Sequence, residues 1–127
     1  HDLLHWDSAT PLATPQFAWE VVQIGNCGSP IETEAGWLVL THGVGPTRKY
    51  SIGVMLLDLE DPSKVVGRLP EPILSPTSEE REGYVPNVVY TCGALAHNEQ
   101  IILPYAVSDT YSNFATMQIS ALMRTMS

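Results

Sequence analysis

The chain repeats itself, and that most constrains its fold. TPLATP (Thr10 to Pro15) is matched by EPILSP (Glu71 to Pro76) sixty-one positions on, and WLVLTHGV (Trp37 to Val44) by QIILPYAV (Gln100 to Val107) at an offset of sixty-three. Each unit holds a Pro-bounded segment, a strand near a cysteine, a polar turn, and an apolar strand carrying His42 or Tyr105 near its end. A repeat of about 60 residues with about four short strands has the dimensions of a β-propeller blade. Repeat units at about residues 1–58 and 59–127 are therefore expected. The opening HDLLHW echoes LDLEDPSKVVG, so the chain is expected to start inside a motif. Two blades alone leave apolar faces and strand edges uncovered. The chain is then expected to be part of a longer protein or to close itself as a homo-oligomer. A two-sheet sandwich with accidental self-similarity is the alternative.

Ten prolines and nine glycines punctuate short apolar runs, which favours strands over helices. Leu38 to Thr41, Ser51 to Leu59, Val85 to Tyr90 and Ile101 to Val107 read as strands, and only Met117 to Met126 shows helical spacing. The fold class expected is all-β. The 127 residues suit one domain, and the net charge of −8 argues against nucleic acid or an anionic membrane as partner. No apolar run approaches the ~20 residues of a membrane helix. Cys27 and Cys92 stand alone, without CxxC spacing. A buried thiol at each is the leading reading; a disulfide, or a zinc site with His42 and His97, are the alternatives. No metal or organic cofactor is expected, and a reducing, cytoplasmic setting is the default.

Chemistry concentrates between Gly36 and Arg68. His42, Arg48, Lys49 and Tyr50 fall within nine positions, and two of the six Lys and Arg residues are among them. Donors of different direction together with positive charge are what an anion or sugar site requires. The plainer reading is that His42 caps a strand on a backbone carbonyl and that the two cations are solvated. Asp109 either holds a sugar's neighbouring hydroxyls or makes an Asx turn before Thr110. Glu80 and Glu82 either supply acid/base carboxylates or belong to an exposed acidic loop. Trp6, Trp19 and Trp37 offer flat faces to a sugar ring, with core packing the competing role for Trp37.

IGNCGSPIETEAGWLVLTHGV, then YSIGVMLLDLEDPSKVVGR, then EREGYVPNVVYTCGAL follow in order. In these segments, from about Trp19 to Thr110, the chain resembles glycoside hydrolase family 130, the β-mannoside phosphorylases and related mannosidases. The resemblance implies a five-bladed β-propeller, of which this chain supplies about two four-stranded blades from the C-terminal part. A β-mannoside is the implied substrate, cleaved by phosphorolysis with inorganic phosphate as co-substrate, or by hydrolysis. His42 and Tyr50 match the family's phosphate-contacting histidine and tyrosine, with Arg48 and Lys49 beside them. Asp109 matches a sugar-contacting aspartate, and Asn26 is a polar contact at the CGSP passage. Two positions depart from the family. Gln23 stands where the phosphorylases tend to carry lysine, which shifts the reading towards hydrolysis or towards Arg48 or Lys49 as substitute cations. Tyr84 stands where an acidic residue is frequent, which alters the sugar subsite along with Glu82. The family's general-acid aspartate is expected upstream of His1, so the chain alone is expected to be inactive. The competing class is a non-catalytic, self-assembling half-propeller that binds sugar or phosphate or is purely structural.

Overall fold

Five strands build the first sheet: β1 (Gln23–Asn26), β2 (Ile31–Thr33), β3 (Gly36–Val44), β4 (Tyr50–Leu57) and β5 (Val65–Arg68). The computed structural model describes residues 2–77 and 87–126. All neighbouring strands are antiparallel. β1 and β2 both pair with β3 on one edge, forming a single lane broken between residues 27 and 30, and β4 and then β5 follow on the other side. The first sheet is thus a four-lane meander. The β2–β3 turn needs glycine: Gly36 has φ 139°, and a Cβ there would run into the Leu57 carbonyl. Thr33 Oγ1 donates to the Gly36 carbonyl at 2.7 Å and closes that turn. β4 stops at Leu57, two residues short of the sequence expectation, because Asp58 Oδ1 accepts the N–H groups of Glu60 (3.1 Å) and Asp61 (2.8 Å). An Asx turn of this kind competes with the ladder for backbone donors.

The second sheet repeats the plan with one lane fewer. β6 (Val89–Tyr90) and β7 (Leu95–His97) form a broken lane beside β8 (Gln100–Val107), and β9 (Tyr111–Gln118) lies on the other side. The chain then turns into helix α1 (Ile119–Met126), where the first sheet has β5. The helical spacing read in Met117 to Met126 therefore holds only for its last eight residues; Met117 and Gln118 remain in β9. Ile119, Leu122, Met123 and Met126 recur at helical spacing and pack into the core, with the Met126 Cβ 3.2 Å from where a Cβ on Gly67 would stand. No helix among the described residues is long and apolar enough to cross a membrane.

One core joins both sheets. Leu38, Leu40, Ile52, Val54 and Leu56 come from the first, Val89, Ile101, Leu103 and Val107 from the second, and Leu122 from α1. Burying each such side chain is worth about 1.5–3 kcal/mol. Leu38 and Ile101, matched at the sixty-three-residue offset, both face this shared core. Blades stacked in sequence would point equivalent residues the same way round the stack. The match in WLVLTHGV and QIILPYAV is therefore one of pattern, shifted by one residue in facing, since strand faces alternate with period two. A backbone bond connects the sheets at one end, where Tyr50 N–H donates to the Asn87 carbonyl (2.9 Å), and Ser108 N–H, donating to the Val88 carbonyl (2.8 Å), ties the same segment to the end of β8. A second small cluster, Val39, Met55 and Leu57, lies on the opposite face of the first sheet, with Ala13 against it.

Candidate functional site

The residues with chemistry meet where the broken lanes of the two sheets approach each other. His42 pairs across with Gly25 on β1 and Ile52 on β4. Gly25 is required: a Cβ there would collide with His42 Cε1 and Nε2, so the imidazole lies directly over the β1 backbone. Tyr50 is on the same face, its ring stacked at 6.2 Å centroid distance and 22°. From the second sheet Tyr90 closes the other side at 5.5 Å and 49°. Bonded to the start of β4 and the end of β8, the Asn87–Val88 backbone carries Tyr90 down onto His42.

Behind the imidazole lies a thiol. Cys27 is buried, its Sγ 3.5 Å from His42 Nδ1, and the Thr91 N–H donates to the sulfur. Burial, helped by the proximity of Cys92, pushes the Cys27 thiol up to about 11, so it stays protonated at neutral pH. Burial also lowers His42 below its ordinary 6.5, so the ring is neutral. The thiol and Nδ1 thus form a hydrogen-bonded pair behind the ring.

The other sequence candidates sort by face. Gln23 is exposed and shares the His42 face through its pairing with Val44. Asn26 pairs with Thr41 on the opposite face, in a cleft of about 360 Å³ lined also by Ile24, Val39 and Met55. Arg48 is exposed in the turn Pro46–Arg48, where it and Thr47 have φ of 55° and 60°. Lys49 is half-buried and lines a cleft of about 230 Å³ with Trp19, Ser51, Glu71 and Ser75, on the face away from Tyr50. Asp109 is exposed in the β8–β9 turn with φ 51°, the equivalent connection in the second sheet. Thr110 N–H donates to the Val107 carbonyl at 2.9 Å and closes that turn. Tyr84, Glu80 and Glu82 lie outside the described residues. Trp6 is exposed; Trp37 donates Nε1–H to the Leu59 carbonyl (3.1 Å) and packs on the Val39 cluster. Trp19 lies across Gly43 and Gly53, where any Cβ would strike its ring. Of the two thiols, only Cys27 is buried, covered by His42 and the Thr91 backbone; Cys92, in the corresponding break of the second sheet, is exposed. Cys27 and His42 meet, but His97 sits by the β7–β8 turn with Glu32 and Glu99, and among the described residues no three His, Cys, Asp or Glu side chains gather as a metal site.

Sequence reasoning missed Tyr90, although a signal was there. The two Cys-Gly pairs align at an offset of sixty-five, which makes Tyr90 the counterpart of Gly25 beside His42, but its contact with that ring depends on how the two sheets meet. Arg68, at the end of the Gly36–Arg68 segment, makes an ion pair instead. Arg68 grips the fully buried Glu20 with one nitrogen at 2.9 and 2.7 Å from its two oxygens, and reaches Gln16 Oε1 at 3.1 Å with the other.

A family model described as beta-1,4-mannooligosaccharide phosphorylase matches residues 1–127. The chain is 40% identical over 120 residues to a 1,2-beta-oligomannan phosphorylase of Thermoanaerobacter sp., covering 93% of this chain and 40% of that protein. It is 46% identical over 101 residues to a beta-1,2-mannobiose phosphorylase of the same source, covering 79% and 33% respectively. The structure of a beta-1,2-mannobiose phosphorylase from Listeria innocua, in complex with beta-1,2-mannobiose, is similar with a TM-score of 0.79 at 36% identity, over 85% of this chain and 31% of that one. The chain thus spans about a third to two-fifths of the length of these relatives.

Proposed function

Because the chain belongs to glycoside hydrolase family 130, we propose that its two β-propeller blades supply one wall of a β-mannoside-cleaving site, with phosphate as the attacking group. The observation that carries this reading is the His42 cluster, an imidazole seated on Gly25 with the rings of Tyr50 and Tyr90 against it. Phosphate attacking an anomeric carbon must be held in line by fixed donors, and a pre-oriented imidazole and phenol cost nothing to reorganise during the step. In phosphorolysis the phosphate oxygen bonds to the anomeric carbon, the glycosidic bond breaks, and a general acid protonates the departing oxygen. No described residue in this pocket carries a carboxyl group suited to that last role, so we assign the acid to the part of the propeller outside this chain. Arg48, exposed at the adjoining turn, is the cation that fits the charge missing at Gln23. Lys49, on the opposite face, is a weaker choice. To Asp109, exposed on the equivalent turn of the second sheet, we assign the holding of a sugar hydroxyl.

The test is phosphate titration calorimetry on the chain, with and without β-1,2-mannobiose, followed by phosphate consumption. Binding without turnover is expected, and His42→Ala should weaken phosphate about tenfold or more, since a hydrogen bond to a charged group is worth about 1.5–3 kcal/mol. Equal affinity in wild type and variant would remove His42 from the site.

A second reading, a self-assembling half-propeller, is favoured by one observation. Among the described residues β9 pairs only with β8, and Phe114 on it is 71% exposed. Light scattering should then give a dimer or larger species. A monomer would leave only the first reading.

A further inference from the structure

Cys27–Gly28 and Cys92–Gly93 interrupt the broken edge lanes of the two sheets at corresponding places. Their backbones touch. A Cβ on Gly28 would stand 2.5 Å from the Cys92 carbonyl oxygen and 2.7 Å from the Gly93 Cα, and the two glycines have φ of 110° and 147°. The close approach requires glycine at position 28, and the positive φ favours it at position 93. Cys27 turns its sulfur towards the second sheet, where it receives the N–H of Thr91, the residue just before Cys92. The same sulfur lies 3.5 Å from His42 Nδ1. Cys92 is open to solvent. Two thiols on touching strands, one accessible and one sealed against an imidazole, separate the roles of oxidant target and resolving thiol.

We propose that Cys27 and Cys92 are a reversible redox pair, in which hydrogen peroxide oxidises Cys92 and Cys27 resolves it to a disulfide joining the two sheets. In the first step the Cys92 thiolate attacks one peroxide oxygen. The O–O bond breaks, the sulfur is oxidised to sulfenic acid, and the second oxygen leaves as hydroxide, which becomes water with the proton the thiol gave up. In the second step the Cys27 sulfur attacks the Cys92 sulfur and gives its proton to His42 Nδ1. The S–S bond forms, the S–O bond breaks, and the hydroxyl leaves as water with the proton that Nδ1 returns. A dithiol reductant reverses the result by exchange, itself becoming oxidised. Forming the bond draws the sulfur away from Nδ1, so the imidazole loses its hydrogen-bond partner there. Oxidation at the lane breaks would thus be felt at His42.

The experiment is peptide mass mapping of the native full chain, without reduction, after exposure to hydrogen peroxide. The expected result is a Cys27–Cys92 link within one chain, with the loss of two hydrogens, reversed by dithiothreitol. The His42 ring resonances in the NMR spectrum should shift on oxidation and return on reduction. Cys92→Ser, at an exposed position, should give no link, an unmodified Cys27 and no His42 shift. In Cys27→Ser, Cys92 should progress to the sulfinic acid. The proposal is overturned if native wild-type protein accumulates sulfinic acid at Cys92 while Cys27 stays a free thiol. Links only between Cys92 residues of different chains overturn it as well. None of these readouts depends on phosphate or sugar binding, so a failure here leaves the proposed function standing.

Discussion

The two sheets share a plan, but one is enclosed and the other open. In the first, every residue of β4 from Ser51 to Leu57 is buried, and β3 is nearly so. In the second, β8 buries one face and β9 is exposed along most of its length. The sequences already differ in the way this requires. LVLTHGV and SIGVMLL are apolar at consecutive positions, as strands covered on both faces are, whereas YSNFATMQ is mostly polar. Pro104 shows how the open sheet tolerates a residue that a central strand should refuse. It sits mid-β8, opposite the lane break between β6 and β7, and its carbonyl accepts the Thr91 hydroxyl at 2.6 Å. A residue's N and O point to the same side of a strand, so the N–H that proline lacks would have met the break and no ladder bond is lost.

The fourth lane is where the comparison can be broken hardest. β5 has no counterpart in the second sheet, and Arg68, its last residue, joins it to Glu20 and the 14–20 segment. The Glu20 carboxylate also accepts the N–H of Gln16 at 2.7 Å. Glu20→Ala leaves a guanidinium buried without its partner, and a loss of about 3–5 kcal/mol in unfolding free energy is expected from urea titration. A loss under about 1 kcal/mol would mean that the fourth lane is not what separates the two sheets in stability.

An intermediate effect should come from the junction between the sheets. Burial raises Cys27 from its ordinary 9.0 to about 11, so the folded state holds the thiol proton more tightly than the unfolded chain. The stability from this group is complete below pH 9.0 and is lost as pH rises through about 11. His42 has the opposite sense. Its folded value lies below 6.5, so its contribution is present above pH 6.5 and is lost as pH falls through the folded value. Urea midpoints of wild type should therefore fall between pH 9 and 11 more steeply than those of Cys27→Ala. Parallel curves would show that the thiol is not sealed between the sheets.

How much of this was legible beforehand follows the same division. In the enclosed sheet β3 and β4 announce themselves, because burial on both faces leaves a nearly unbroken apolar run, whereas the short, part-buried β1, β2 and β5 were not delimited. β9 was not forecast, because its burial is supplied by a single face and its pattern of Tyr111, Phe114, Ala115 and Met117 has no strict alternation. His42 and Tyr50 could be named from motif and spacing, and pairing across β3 and β4 brings them onto one face. Tyr90 and the Cys27 contact could not, since they depend on how two sheets meet and on Gly25 vacating the space beneath the ring. Asn26 and Lys49 lie near the site in sequence yet face the other way, which the period of a strand decides and proximity does not. Arg68, at the end of the segment where the chemistry concentrates, is held by a buried glutamate forty-eight positions earlier, a long-range pairing that no local pattern reveals.

The smallest effect is the most pointed test of the open sheet. Phe114 pairs with Pro104 across β8 and β9, on the face turned away from the shared core. Large apolar side chains normally contribute to stability by leaving water, but a ring this exposed has little of that to lose. Phe114→Ser should therefore change the unfolding free energy by no more than about 0.5 kcal/mol, as surface substitutions do. The same change should shift any self-associated species towards monomer in light scattering, because it removes apolar area from the face that remains uncovered. A large loss of stability in the monomer would show that the face is already covered, and the contrast between the enclosed and the open sheet would have to be withdrawn.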